Sequence, residues 1–136
     1  MPVIEVDMLI AFVNALDKYH KVASKLMKRI ISGELKGVKV AASAYLEYEL
    51  ILKARGYSEE EIRSDLNHFR KIPNLGEAPL TVDVLIEASE LREKYNLTFF
   101  DSLHGATALL LDGVLISLDK AFNEVKGLKV ISPTSL

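Results

Sequence analysis

Cysteine is absent from the 136 residues, which removes disulfide frameworks, thiolate nucleophiles and cysteine-ligated zinc. A surplus of positive charge is missing as well: 17 Lys and Arg stand against 19 Asp and Glu, a net charge of −2. This argues against a surface that grips a polyanion by bulk charge, although it leaves room for a local basic patch. No run reaches the ~18 apolar residues needed to span a bilayer, and Met1-Pro2-Val3 lacks the basic start of a leader. The expected location is the cytoplasm, with no membrane partner. Internal repeats, low-complexity tracts and linkers are lacking too. Residues 1–136 are expected to form one domain with its own core.

What is present begins with the stretch Leu97-Thr98-Phe99-Phe100-Asp101-Ser102-Leu103-His104-Gly105-Ala106-Thr107-Ala108, running through Asp112-Gly113 to Ser117-Leu118-Asp119. After Asp101, residues Leu103, Ala106, Thr107, Leu110 and Leu111 recur at helical spacing and form a stripe that can pack on a sheet. Gly113 stops that helix, and Val114-Leu115-Ile116 is too short for anything but a buried strand. Asp119 then lies just past a strand end, where open α/β sheets carry their sites.

The rest of the chain alternates in the same way. Val3 to Asp7 reads as a first strand, in which Glu5 and Asp7, two residues apart, share a face. An apolar helix from Met8 to Val13 follows, then one opened by Asp17-Lys18-Tyr19-His20 and striped with Val22, Leu26, Met27, Ile30 and Ile31. Val38 to Ala41 is a second strand, and a helix from Ser43 to Arg55 ends at Gly56. Ser58 with Glu61 marks the next helix start. That helix carries Ile62, Leu66 and Phe69 and stops before Pro73. Pro73 to Pro79 reads as a loop, Val82 to Lys94 as a helix, and Leu128 to Ile131 as a last strand. The pattern predicts a three-layer α/β/α sandwich around a mostly parallel sheet of four to five strands.

Such a sheet presents its strand C-termini and the adjoining helix N-termini to one edge. Glu5, Asp7, Asp101 and Asp119 fall there, with one more acid from the helix after strand two. Glu47 and Glu49 are both candidates, but they lie about 200° apart around a helix and cannot face the same place. Glu47 shares its face with Leu50, Ile51 and Ala54, while Glu49 stands over Lys53 at the spacing of an exposed ion pair; Glu47 is favoured. Taken singly, Asp101 also suits a helix cap and Asp119 a turn start. His20, His68 and His104 lack metal-ligand spacing and read as structural or partly exposed. Lys18, Lys21, Lys25, Lys28 and Arg29 form a basic run, read as a solvated face or as a contact to RNA phosphates or an acidic partner.

These blocks together resemble the PIN domain, in particular the VapC-like toxin ribonucleases, over nearly the whole chain. The resemblance rests on Glu5-Val6-Asp7-Met8-Leu9-Ile10-Ala11, on Glu47 with Arg55-Gly56 after it, on Asp101-Ser102-Leu103-His104-Gly105-Ala106, and on Ser117-Leu118-Asp119 with Phe122 beyond. Anchoring on Leu9-Ile10-Ala11 places Glu5 where the family has its first aspartate and Asp7 where it has a small polar residue. His104 stands inside a run that is normally apolar and small.

Several carboxylates held within a few Å need a cation, and oxygen donors without cysteine select a hard one, Mg²⁺ or Mn²⁺. The resemblance implies metal ligation by Asp7 or Glu5 and by Asp101, ligation or water-orienting by Glu47 and Asp119, and support from Ser117. It further implies an endoribonuclease, the toxin of a toxin–antitoxin pair, hydrolysing RNA phosphodiesters. The expected partners are an RNA substrate, an antitoxin protein and a second copy of the chain. A homodimer is expected through Tyr45, Tyr48, Leu52, Tyr57 and Phe69. Two alternatives stand beside this. One is a catalytically weak PIN-fold module that binds RNA or protein. The other is a phosphoacceptor domain using Lys120, which leaves Asp101 and Glu47 without a role.

Overall fold

The computed structural model describes residues 1–136. Five strands form one sheet: β1 (Val3–Ile4), β2 (Lys39–Ala41), β3 (Gly76–Ala78), β4 (Val114–Ile116) and β5 (Lys129–Ile131). Six helices connect them: α1 (Val6–Val13), α2 (His20–Ile31), α3 (Ala42–Ala54), α4 (Glu59–Arg70), α5 (Val82–Lys94) and α6 (Phe99–Leu109). The strand order is β3-β2-β1-β4-β5, and every pairing is parallel. This is the three-layer α/β/α sandwich that the alternation predicts.

Register does most of the positioning. Ile4 pairs with Val40 on one side and Ile116 on the other, and Ile116 pairs with Ile131. The next residue along each central strand therefore reaches the C-terminal edge together: Glu5 from β1, Ala41 from β2 and Ser117 from β4. Val3, Ile4, Val40, Leu115 and Ile116 have at most 1% of their surface exposed, as a parallel sheet covered by helices on both faces requires.

Three local expectations fail for identifiable reasons. The first strand is shorter than expected, because Val6 and Asp7 already belong to α1. Glu5 is its extended N-cap, so Glu5 and Asp7 do not share a strand face. The stretch from Pro73 to Pro79 is not all loop: Gly76-Glu77-Ala78 pairs with β2 as an edge strand. Its glycine and charge hide it from any apolar pattern. On α6 the apolar stripe ends early, and Leu110 and Leu111 are exposed beyond the helix.

Helix α3 is also rotated relative to its expected core stripe. Ala44, Tyr48 and Leu52 are buried at four-residue spacing, whereas Leu50 is exposed. Tyr48 and Phe69 are core residues with rings edge to face at 5.2 Å, not interface residues. The buried Tyr48 hydroxyl is satisfied by donating to Asp65 at 2.6 Å. Lys53 pairs with Glu59 at 2.9 Å rather than with Glu49. The start of α4 is as the sequence predicts, with Ser58 and Glu61 bonding each other's backbone N–H.

The turn from α6 into β4 depends on Gly113. Its φ is +77°, and a Cβ there would lie 2.9 Å from the Gly127 carbonyl, while its own carbonyl accepts from Lys129 at 2.7 Å to start the β4–β5 ladder. Gly113→Ala is expected to destabilise the protein by about 1–3 kcal/mol through left-handed strain and contact. Urea unfolding checks this; an unchanged midpoint would show that the turn can rearrange freely.

Candidate functional site

The site is assembled from the ends of strands and helices, with one acid from the middle of α3, rather than from any single motif. Glu5 ends the extended stretch of β1 and is 1% exposed. One turn of α1 begins immediately after it, bringing Asp7 to the same edge. Ser117, buried just past β4, donates its hydroxyl to Glu5 at 3.3 Å and accepts from the Asp119 N–H at 3.0 Å. Ser117 thus ties the first acid to the last.

Asp101 is the third residue of α6, and Thr98 is that helix's cap, accepting from the Asp101 N–H at 3.2 Å. The Asp101 carboxylate is therefore not spent as the cap oxygen. Arg92 of α5 fixes this first turn by donating to Ser102 at 2.6 Å while its guanidinium lies 4.9 Å from the Phe99 ring centre. Asp119 does start a turn, accepting from the Ala121 N–H through one oxygen at 2.9 Å. The turn role and a site role coexist in this residue, since its second oxygen makes no such bond.

Glu47 projects from the middle of α3 and accepts from His104 Nε2 at 2.7 Å. His104 is fully buried, and its Nδ1 lies 2.7 Å from the Ser43 hydroxyl. This histidine is the residue that spacing rules overlook. The available signal is a polar ring placed three residues after Asp101 among Leu103, Gly105 and Ala106, where burial demands a partner for each nitrogen. Ser43 and Glu47, one helical turn apart on α3, supply both.

Electrostatics bind these groups into one unit. Burial holds the Glu5 carboxyl well above its usual range; Asp7 adds charge and a hydrogen bond, and Asp101 and Glu47 add further repulsion. Burial likewise raises Asp7, with Asp119 and Glu47 pushing the same way and the Glu5 hydrogen bond opposing. Asp101 is raised by burial and by Asp119 and Glu47, against a Thr98 hydrogen bond and the nearby His104. Each of the five expected acids is thus within electrostatic reach of at least two others. Glu5, Asp101 and His104 each offer a ligand atom within 4.8 Å of the others. Carboxylate oxygens dominate this donor set, so it suits a hard divalent cation. Beside Asp7 and Asp119 lies an open cavity of about 440 Å³, walled by Ile10, Tyr19 and Leu118 and rimmed by Asp17 and Lys18.

The PIN domain family model matches residues 4–128. The chain belongs to the PIN domain family. Solved structures agree on the fold. A chain of VapBC2 from Rickettsia felis, bound to a promoter DNA fragment, superposes with a TM-score of 0.73 at 12% identity, covering 96% of both chains. VapC20 from Mycobacterium tuberculosis, a toxin that cleaves the sarcin–ricin loop, gives 0.71 at 16% identity over 90% of this chain and 93% of that one. FitAcB from Neisseria gonorrhoeae gives 0.70 at 12% identity over the full length of both. No curated protein is similar enough in sequence to count as a relative. No helix of this PIN domain is long and apolar enough to cross a membrane.

Raised carboxyl values carry a sign. Glu5, Asp7 and Asp101 hold protons in the folded chain that they release when unfolded, so the folded state binds more protons above about pH 4. The stability they contribute is full below the unfolded values and is lost as pH rises through the folded ones. Asp101→Asn removes one such group and relieves its neighbours. Metal-free Asp101→Asn is therefore expected to gain stability relative to wild type as pH rises from about 4 to 7. A difference that stays flat across that interval in paired denaturant titrations would contradict this coupling.

Proposed function

We propose that this PIN domain is a Mg²⁺- or Mn²⁺-dependent endoribonuclease and the toxin of a toxin–antitoxin pair. One observation carries the reading: Glu5, Asp7, Glu47, Asp101 and Asp119 meet at one sheet edge, and burial with mutual repulsion raises three of them. A divalent cation relieves that repulsion, which gives the folded apo protein a standing preference for one. Asp7 and Asp119, which border the cavity, and the half-buried Asp101 are the acids that would hold it. Glu5, buried and hydrogen-bonded by Ser117, is the acid least open to solvent. The ion, when bound, supplies a positive centre for a phosphate oxygen and lowers the pKa of a coordinated water.

The chain's own groups support a single-stranded RNA as the substrate. The cavity beside Asp7 has apolar walls and an aromatic ring in Tyr19, which suit an unpaired base better than a stacked duplex. Lys18 at its rim begins the run that continues through Lys21, Lys25 and Lys28 along α2, a track for successive phosphates. The net charge of −2 makes such a local track, rather than bulk charge, the source of RNA affinity. Glu47, held by His104, is placed to orient water or ligate. An antitoxin would bring a basic side chain to the acidic edge, and an arginine fork matches a carboxylate best.

A homodimer is part of the proposal, through what the fold leaves exposed around α3 rather than through the buried Tyr48, Leu52 and Phe69. With Tyr48, Leu52 and Phe69 in the core, the apolar residues left exposed nearby are Leu46 and Leu50, one turn apart on α3, and Tyr57. Sedimentation at micromolar concentration is expected to give twice 15.1 kDa, and Leu46→Glu with Leu50→Glu to give the monomer. A wild-type monomer would remove the dimer from the account.

Catalysis has its own test. Mn²⁺ is expected to raise the melting temperature of wild type by mass action and to support cleavage of single-stranded RNA. Glu47→Gln is expected to abolish that cleavage with little change in folding, whereas Glu49→Gln changes stability by no more than about 0.5 kcal/mol and leaves cleavage intact. The reverse pattern would show that the wrong glutamate has been placed at the site. RNA binding without metal-dependent cleavage would favour the binding-module reading instead.

A further inference from the structure

His104 has no exposed surface, yet it carries two nitrogens that must be satisfied where they stand. Both partners come from one face of α3, because Ser43 and Glu47 are four residues apart. The imidazole of α6 lies along that single turn, with Ser43 Oγ 2.7 Å from Nδ1 and Glu47 Oε1 2.7 Å from Nε2. Phe100, one turn earlier on α6, covers the ring at a centroid distance of 6.2 Å and an interplanar angle of 29°.

The proton assignment follows from what each partner can do. An ionised carboxylate only accepts, so the hydrogen sits on Nε2 and points at Glu47. Nδ1 then carries a lone pair, and the Ser43 hydroxyl, which makes no other hydrogen bond, donates to it. Every donor in the chain Ser43–His104–Glu47 is directed toward the acidic edge. Glu47 uses one oxygen for this bond and keeps the other uncommitted.

Glu47 needs such a restraint. It repels Glu5, Asp7 and Asp101, all of which it helps to raise, and a glutamate has three torsions by which to swing away. We propose that His104 is a positioning residue that holds the Glu47 carboxylate at the cation site in one orientation. Ser43 acts through it by donating to Nδ1 and holding the ring in place, while Glu47 sets which nitrogen carries the hydrogen. The grouping of His104 with Glu5 and Asp101 within 4.8 Å also invites a ligand role, but Nε2 cannot both donate to Glu47 and give a lone pair to a metal. The Glu47 carboxylate, which can only accept, decides for donation, and the Ser43 hydroxyl fits that tautomer by donating to Nδ1. This inference rests on reading the acids as a cation site.

Glutamine separates the two roles, because its amide N–H can replace Nε2–H without any choice of tautomer. Mn²⁺ binding, read from the loss of the free-ion electron paramagnetic resonance signal, needs no activity. His104→Leu is expected to weaken Mn²⁺ affinity roughly tenfold to a hundredfold, as losses of ligand-orienting partners do, and His104→Gln to restore it to within about threefold of wild type. Ser43→Ala is expected to weaken binding in the His104 background and to have no effect in the His104→Gln background. If His104→Leu does not fold, the two Ser43→Ala comparisons decide alone. Affinity in His104→Gln as poor as in His104→Leu would make the imidazole itself a ligand and overturn the proposal. Equal effects of Ser43→Ala in both backgrounds, or wild-type affinity in His104→Leu, would overturn it as well. Those results leave the cation site standing, whereas a wild-type protein that binds no Mn²⁺ removes the site and the inference together.

Discussion

Like charge held together out of water is the constraint on which this molecule turns. Folding places the Glu5 carboxyl in a nearly dry position against Ser117 and then brings Asp7, Glu47, Asp101 and Asp119 up to it. Each element has an independent reason to be where it is. The parallel register aligns Ile4 with Val40 and Ile116, α6 is capped by Thr98, and α3 buries Ala44, Tyr48 and Leu52. The core therefore supplies the free energy that forces the acids together, and the repulsion is relieved by protonation or by a cation. A site of this kind costs stability when empty and returns it when filled, which is how a structural penalty becomes a binding preference.

The surroundings of the acids are graded in a way that fits this account. Glu5 and Ser117 form the buried floor. Asp7, Asp101 and Asp119 stand between that floor and the solvent, and Asp7 and Asp119 border the cavity with Tyr19 and Lys18. Two polar devices outside the acids keep the geometry fixed. Arg92 locks the first turn of α6 through Ser102 and Phe99, and His104 locks the same helix to α3 through Ser43 and Glu47. Both bind α6, the helix that carries Asp101, so its first two turns are restrained from two sides.

Much of this was legible in the amino acids, and the exceptions are instructive. Alternating short apolar strands and amphipathic helices are enough to predict the parallel sheet, and Ser58 with Glu61 marks the start of α4. Strand β3 was invisible because Gly76, Glu77 and Ala78 pair through backbone alone, and an edge strand needs no apolar side chains. The end of β1 is not visible in the sequence, because an apolar run passes from strand into helix at Glu5 without a break in composition. The sequence preference for Glu47 over Glu49 follows a core stripe through Leu50, Ile51 and Ala54, of which Ile51 packs against the core while Leu50 and Ala54 are exposed. The structure gives Glu47 a different reason to face inward, the bond from His104. Pairwise contacts between residues 57 positions apart leave no trace in local periodicity, so the histidine looked merely out of place. The family resemblance, by contrast, extended over nearly all of the chain because its blocks are local.

The central claim is that these carboxylates form one cation site. Crystals grown with Mn²⁺ and measured at a wavelength where manganese scatters anomalously test it most directly. The account predicts an anomalous peak coordinated by Asp101 with Asp7 or Asp119, and the Glu47–His104 bond intact beside it. An anomalous map with no peak at this edge, in a crystal where the acids are free of lattice contacts, would contradict it.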